Sequence, residues 1–363
     1  MISKKAGYYR LLAINPGSTS TKFGLYDDEA CVLIETIRHD SALLSQCGAI
    51  PDQKDFRREC IVKSLEVAGF ALDSLDAVVG RGGLIKPIES GVYAVNKKML
   101  DDLHLETAAR HASTLGGLLA SEIATPLGIP SFIVDPVVVY EMDPLTRLSG
   151  IPGADRISVF HALNQKAIAR RVAAEMGKPY EQSRFVVAHL GGGITVGAHL
   201  NGRVVDVNDG ISGEGPFSPE RAGGVPIVPI IKMCFSGKYT QDELIKMFSG
   251  TGGIKAYMGT SEVTEVLKMS AGGDEFATLV LDSMCYQVAK EIGAMAAALE
   301  GLLDAIILTG GIAYSERITG AIKKRVEKFA PVHIFPGEDE IFALVSGALR
   351  VLRGKEEARE YTG

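Results

Sequence analysis

Two α/β domains in tandem are what this sequence predicts, and three observations carry the expectation. Segments of strand character alternate with segments of helix character along the whole chain. A unit of strand, polar loop and strand occurs at Leu11–Tyr26 and recurs at Phe185–His199, which reads as a structural duplication. The chain has 363 residues, and at roughly 100–200 residues per domain that leaves room for two. Either half is long enough to bury a core without disulfides or metal.

Taken in order, Arg10–Asn15 reads as a buried strand, Lys22–Asp27 as its hairpin partner and Val32–His39 as a third strand. Arg57–Gly69 reads as a helix with Ile61, Val62 and Leu65 near one side. Leu75–Val79 is a short apolar strand running into Gly80-Arg81-Gly82-Gly83, and Lys97–Leu119 has helical character. Ser131–Val134 is a strand ending at Asp135-Pro136. The Gly/Pro-rich stretch Leu148–Asp155 is a hinge candidate, with the hinge near 150–158. A helix over His161–Met176 then leads into strands at Phe185–Leu190, Ile194–His199 and Arg203–Val207. Asn201-Gly202 joins the last two as a hairpin turn. Val288, Ile292, Met295 and Leu299 mark one face of a long helix. Ala305–Leu308 is a short strand ending in Thr309-Gly310-Gly311, and Glu340–Leu352 is an amphipathic helix followed by a charged tail expected to lie in solvent.

Composition narrows the function. A hydrophobic share of 46% and a charged share of 23% are those of an ordinary globular protein. The net charge of −6 argues against broad attraction to nucleic acid or to an anionic membrane. No run approaches the roughly 18 apolar residues of a membrane span, and the apolar stretch near the N-terminus is too short for a signal peptide. The five cysteines, Cys31, Cys47, Cys60, Cys234 and Cys285, are odd in number and widely spaced without C-x-x-C. Neither a disulfide framework nor a zinc site is expected; they read as small buried hydrophobes in a reducing, cytoplasmic setting.

Three loops have the make-up of phosphate sites. Asn15-Pro16-Gly17-Ser18-Thr19-Ser20-Thr21-Lys22 puts a glycine, four hydroxyls, a carboxamide and a lysine between two strands. Hydroxyls, backbone N–H groups and a lysine all bind phosphate oxygens, although a polar hairpin turn would have the same look. It is not a Walker A loop, since it leads into a strand. His189-Leu190-Gly191-Gly192-Gly193 follows a buried strand, and three glycines suit close approach of backbone to a nucleotide phosphate or else a flexible turn. Thr309-Gly310-Gly311-Ile312 precedes a helix, as at many anion sites and in many plain α/β turns. Arg81 and Arg221 each stand among glycines, where bidentate recognition of carboxylate or phosphate competes with simple surface exposure. There is no H-E-x-x-H and no G-x-S-x-G. The missing nucleophile motif suits phosphoryl transfer, which needs positioning and charge stabilisation more than covalent chemistry.

INPGSTSTKFGLY, AHLGGGITVGAH and LTGGIAYSERI together resemble, in order and over essentially the whole chain, the two phosphate loops and the adenosine segment of the acetate and butyrate kinase family. That family is part of the acetate kinase–sugar kinase–actin superfamily. DGISGEGPFSPERAGG and N-P-G-S-T-S-T-K are closer to the butyrate kinases than to the acetate kinases, which usually carry N-C-G-S-S-S-x-K and H-L-G-N-G. The resemblance implies an actin-like ATPase fold: two duplicated ribonuclease H-like domains, each with a mixed five-stranded sheet, around an ATP cleft. Residues 1–155 would form the acyl-substrate side, with the C-terminal helix, about 338–363, returning to it. Residues 156–337 would bind nucleotide.

Carried over position by position, the resemblance puts Asn15, Ser18, Ser20 and Lys22 near the transferred phosphoryl group, with Asn15 also near Mg²⁺. Arg81 and Arg221 would flank the acyl phosphate. His161, in Phe160-His161, would stabilise the transition state, and Asp135 would orient the reacting groups. His189 and Gly191, Gly192 and Gly193 would meet the ATP phosphates. Gly310, Gly311 and Ile312 would line adenine and ribose, and Glu338 or Glu340 would serve the metal. The family's H-N-P is His111-Ala112-Ser113 here, so His111 carries no assigned role. The implied reaction is the reversible transfer of a phosphoryl group from ATP to butyrate, with ADP and butyryl phosphate as products. Isobutyrate, propionate or acetate are alternative acids. A non-catalytic ATP-binding switch and a sugar kinase using Asp135 as base are the rival classes. Mg²⁺, ATP and a short-chain acid are the expected ligands, and a homodimer or larger homo-oligomer the expected assembly.

Overall fold

The computed structural model describes residues 7–105, 111–211 and 213–363. The chain divides into two compact units, Met1–Val139 with Asp339–Gly363, and Tyr140–Glu338. The division falls at Val139, ahead of the Gly/Pro-rich stretch at 148–155 that the sequence marks as a hinge.

The first unit is built on β1 (Arg10–Pro16), β2 (Ser20–Asp27), β3 (Ala30–Arg38), β4 (Ala77–Arg81), β5 (Val92–Ala94) and β6 (Ser131–Val134). Their order is β3-β2-β1-β4-β6-β5. The β1–β2 and β2–β3 pairs are antiparallel, β1–β4 and β4–β6 parallel, and β5 antiparallel to β6. The sheet thus has six strands rather than five. The additional one is a three-residue edge strand, too short to leave a period in the sequence. Leu12, Ile14, Phe23, Leu25 and Val78 pack with Ile61 and Leu65 of the helix Lys54–Val67 and with Leu115, Leu118 and Leu119 of the helix Thr114–Ala124.

The helical stretch read over 97–119 is two helices, Lys97–Leu103 and Thr114–Ala124; residues 106–110 within it lie outside the described residues. The helix Glu340–Leu352 returns to this sheet. Gly24 and Gly347 make the approach possible, since a Cβ on either would come within 2.7 Å of Ile341 or Val134 respectively. The helix ends at Leu352 rather than running on to 363, and the charged tail beyond it is largely exposed except at one residue. Tyr361 is buried, its hydroxyl donates to Asp102 at 2.7 Å, and Arg359 pairs with β5 through Val92 and Ala94. A lone tyrosine among charged residues finds a pocket that charge patterning does not reveal.

The second unit contains β7 (Arg184–Leu190), β8 (Ile194–Leu200), β9 (Arg203–Val207), β10 (Ala305–Gly310) and β11 (Val332–Pro336), ordered β11-β10-β7-β8-β9. Read from the other edge, this is the first sheet's order without β5: three antiparallel strands, then two parallel ones. Phe185–Ala188 of β7 is a continuous apolar run because both faces are covered. Phe185 and Val187 face Ala169 and Val172 of the helix Ala162–Glu175, while Val186 and Ala188 face Leu281, Met284 and Val288 of the helix Glu275–Ala298. The Asn201-Gly202 turn has both residues at positive φ, 50° and 83°, the geometry of a two-residue hairpin. Of the five cysteines only Cys285 is buried; Cys31 lies on the open edge of β3 and Cys234 ends an exposed helix, so the reading of all five as core residues is corrected. Among the described residues no helix is long and apolar enough to cross a membrane.

Candidate functional site

In the first unit the loop from β1 to β2 is held from behind. Arg57, fully buried, donates to the carbonyls of Gly17 (2.9 Å), Ser18 (2.9 Å) and Ser20 (2.8 Å) and to Thr21 Oγ1 (3.0 Å). With its carbonyls and the Thr21 hydroxyl turned inward, the loop leaves Ser18 and Thr19 exposed. Ser20 is half-buried, and Lys22 stands opposite Asn15 in the β1–β2 register. Arg57 was not among the residues singled out by motif. Its signal is an arginine at the four-residue step before Ile61 and Leu65, on the apolar face of its helix.

Three expected residues meet at one point of this unit. Arg81 Nη1 donates to Glu340 Oε2 at 2.9 Å and to Asn15 Oδ1 at 3.3 Å, and Asn15 Nδ2 donates to the same Glu340 oxygen at 2.5 Å. β1 and β4 are parallel neighbours, so their ends place Asn15 and Arg81 together, and the returning helix brings Glu340. Glycines beside Arg81 serve packing: a Cβ on Gly80 would lie 2.0 Å from Gly116 O, and one on Gly83 would lie 2.6 Å from Thr114 Cα. Asp135 is buried at the end of β6, in the left-handed region with φ 37°, and its Oδ1 accepts the Gly91 N–H at 2.8 Å. A side chain held at such a φ costs energy that the surroundings must offset.

In the second unit the second loop, His161 and Arg221 form one cluster. The His161 and His189 rings stack with centroids 3.8 Å apart and planes 10° from parallel. Two imidazolium rings at that distance would repel strongly. His161 Nδ1 is 2.9 Å from Thr195 Oγ1; His189 Nδ1 is 2.8 Å from Asn164 Oδ1. Glu338 Oε1 stands 3.0 Å from His189 Nε2, but without the alignment of a hydrogen bond. The guanidinium of Arg221 lies on Gly193, where a Cβ would come 2.0 Å from Nη1, and it donates to Gly210 O. Burial pushes the Arg221 pKa down, with Glu220 and Asp209 opposing. The third glycine of the loop is therefore needed by an arginine. Ser218 Oγ, donating to Gly192 O at 2.6 Å, fixes the Arg221 loop to the glycine loop.

A cavity of about 590 Å³ opens beside this cluster, lined by Gly191, Gly192, Glu220, Gly311, Ile312 and Glu338 among others. It joins the second and third glycine loops. Gly310 lies behind it at φ 92°, its would-be Cβ 2.4 Å from Leu190 O. Ser261, Glu262, Val263 and Thr264 add to the lining, as does Tyr314 of the LTGGIAYSERI segment; no motif pointed to the first four, since a helix start with serine and threonine has no distinctive pattern. Glu338 and Glu340, two residues apart, serve different units: one beside His189, the other with Asn15 and Arg81.

Among solved structures the fold is that of small-molecule kinases. It is similar to the acetate kinase of Porphyromonas gingivalis (TM-score 0.76, 20% identity, 95% of this chain and 100% of that one). It is also similar to a propionate kinase from Francisella tularensis (0.71, 16%, 94% and 99%) and, more distantly, to the ROK hexokinase of Thermus thermophilus (0.51, 13%, 95% and 100%). Residues 155–332, a stretch that holds His161, the triple glycine, Arg221 and the whole second sheet but for its last strand, match the model of the acetokinase family.

Proposed function

We propose that the protein is an ATP-dependent kinase for a short-chain carboxylic acid, with butyrate as its leading substrate. The observation that carries this reading is Arg221 laid on Gly193 beside the stacked His161 and His189, at the rim of a cavity, within the acetokinase-family stretch. Transfer of a phosphoryl group to a carboxylate joins two anions, so positive and N–H groups must surround the reaction. No base is required, because a carboxylate is ionised at neutral pH.

The second unit would take the nucleotide. Adenine and ribose would lie against Gly311 and Ile312, with Gly310 behind them, and the phosphates along Gly191, Gly192 and Gly193 with His189. Arg221 and His161 would offset the charge that spreads over the equatorial oxygens. The first unit would supply Arg81, Asn15, Ser18, Ser20, Lys22 and Asp135. Among the described residues no group of three His, Cys, Asp or Glu gathers to hold a metal, which suits Mg²⁺, an ion commonly bound by one or two carboxylates plus substrate phosphates. Glu340, hydrogen-bonded to Asn15, is the better placed carboxylate for it, and Mg²⁺ there would neutralise phosphate charge. Butyrate is favoured over acetate by the N-P-G-S-T-S-T-K loop and by DGISGEGPFSPERAGG.

Trapping of acyl phosphate by hydroxylamine with Mg-ATP, across acetate, propionate, butyrate, isobutyrate and valerate, tests this. Hydroxamate that peaks at butyrate or isobutyrate is expected. A peak at acetate retains the chemistry and overturns the acid. No hydroxamate from a folded, ATP-binding protein overturns the kinase reading in favour of a sugar kinase or a switch.

A further inference from the structure

Behind His161 runs a line of buried polar side chains that the proposed reaction does not use. Tyr180 Oη is 2.8 Å from His199 Nδ1; His199 Nε2 is 3.0 Å from Gln165 Oε1. Gln165 Nε2 donates to Thr195 O at 3.0 Å and Thr195 Oγ1 at 2.9 Å, and Thr195 Oγ1 is 2.9 Å from His161 Nδ1. Gln165, Thr195 and His199 are all fully buried.

We propose that this chain holds His161 as the neutral ring with its proton on Nε2, making Gln165 and Thr195 positioning residues for the N–H that His161 presents. The direction of every bond follows from one fixed point. A backbone carbonyl can only accept, so the atom of Gln165 that faces Thr195 O is its NH₂ group. Its other atom, Oε1, then faces His199 and accepts, which places the His199 proton on Nε2. Burial, reinforced by Lys166 and Arg170, keeps His199 neutral, so its Nδ1 accepts from the Tyr180 hydroxyl. At the other end Thr195 Oγ1 receives a proton from Gln165. Its own hydroxyl hydrogen is buried, and a buried donor left unpaired is destabilising. The acceptor in reach is His161 Nδ1. That nitrogen therefore carries no hydrogen, and the proton of the neutral ring is on Nε2.

Two further features fit. Gly197, mid-strand in β8, is where a Cβ would stand 2.6 Å from Gln165 Oε1, so the amide has its place only because that strand position has no side chain. Thr195 also pairs with His189 across β7 and β8, so one strand pair holds the threonine and the ring stacked on His161.

The use of that N–H toward a phosphoryl oxygen rests on the proposed function; the tautomer does not, and the experiment separates them. Full-length protein labelled with ¹⁵N-histidine, its His161 signals assigned with His161→Gln, is expected to show a pyridine-type Nδ1 and a pyrrole-type Nε2. Thr195→Val should remove that single pattern and lower kcat by about 10²-fold, the scale of a misplaced catalytic group, with KM for ATP little changed. Thr195→Ser should restore both. A proton on Nδ1, or on both nitrogens, in the wild-type protein overturns the proposal whatever the activity. The expected tautomer in a protein without acid-dependent turnover would sink the kinase reading and leave the relay standing.

Discussion

Replacement of Arg57 by methionine keeps the stem and removes the guanidinium that backs the first loop. Its bonds to the carbonyls of Gly17, Ser18 and Ser20 are 2.8–2.9 Å long, and a hydrogen bond to a charged group contributes about 1.5–3 kcal/mol. Three of them set a gross scale of about 5–9 kcal/mol by that measure. Two effects reduce it. The guanidinium is wholly buried, and the loss of water that lowers its pKa also penalises the native cation. Ser18 is exposed, so water can replace part of what its carbonyl loses. The net destabilisation is about 2–4 kcal/mol, at the lower edge of what breaking a buried pair costs. Urea unfolding measures it, and amide exchange at Gly17, whose N–H closes the loop onto Ser20 O at 2.8 Å, reads the local effect. Arg57→Lys should recover only part, since an ammonium has no planar fork to span three carbonyls. Stability within about 0.5 kcal/mol of wild type, the range of an ordinary surface change, with unaltered exchange at Gly17, would refute the reasoning.

Other outcomes follow from the same geometry. Gly193→Ala puts a methyl 2.0 Å from Arg221 Nη1; a fall in kcat of about 10²-fold or more with little loss of melting temperature is expected, and unchanged turnover would free Arg221 from the mechanism. Glu340→Gln should raise the Mg²⁺ needed for half-maximal rate by about 10-fold or more, and Glu338→Gln should raise it far less; the reverse order would move the metal carboxylate to Glu338. Because the His199 pKa is depressed in the folded state, the unfolded chain binds the extra proton once pH falls below about 6.5. Stability is then fully present above that pH and declines below it, by up to about 1.4 kcal/mol per pH unit. Melting temperatures of wild type and His199→Gln between pH 8 and 5 check this, the variant giving the flatter profile.

Most of the strand framework was legible because it depends on neighbours in the chain. β1, β7 and β10 are apolar runs, Asn201-Gly202 is a two-residue turn with its own chemistry, and Glu340–Leu352 has an apolar stripe with Ile341, Leu344, Val345 and Ala348 all buried. The glycine loops were legible as loops, yet not in what their glycines do. At Gly80 and Gly83 the missing side chain admits a helix, and at Gly193 it admits an arginine. Each partner is distant in sequence, so no local pattern records it. The anchor of the tail was missed for the same reason: Tyr361 is one residue among charges until Asp102 and Lys86 are seen around it. The Gln165–Thr195 bond, 30 residues in span, joins two polar side chains that propensity alone treats as ordinary.

The return of Asp339–Gly363 to the first unit has a consequence for synthesis. A ribosome delivers the chain from the N-terminus, so the first unit is begun early and finished last. Asn15 and Arg81 wait through more than half of translation for a carboxylate 325 and 259 residues further on, while every residue of the second unit has already been made. A chain halted anywhere before residue 340 has an arginine without its counter-charge and a sheet without its covering helix. Premature termination thus leaves Asn15 and Arg81 without the carboxylate that joins them, however completely the second unit has been made.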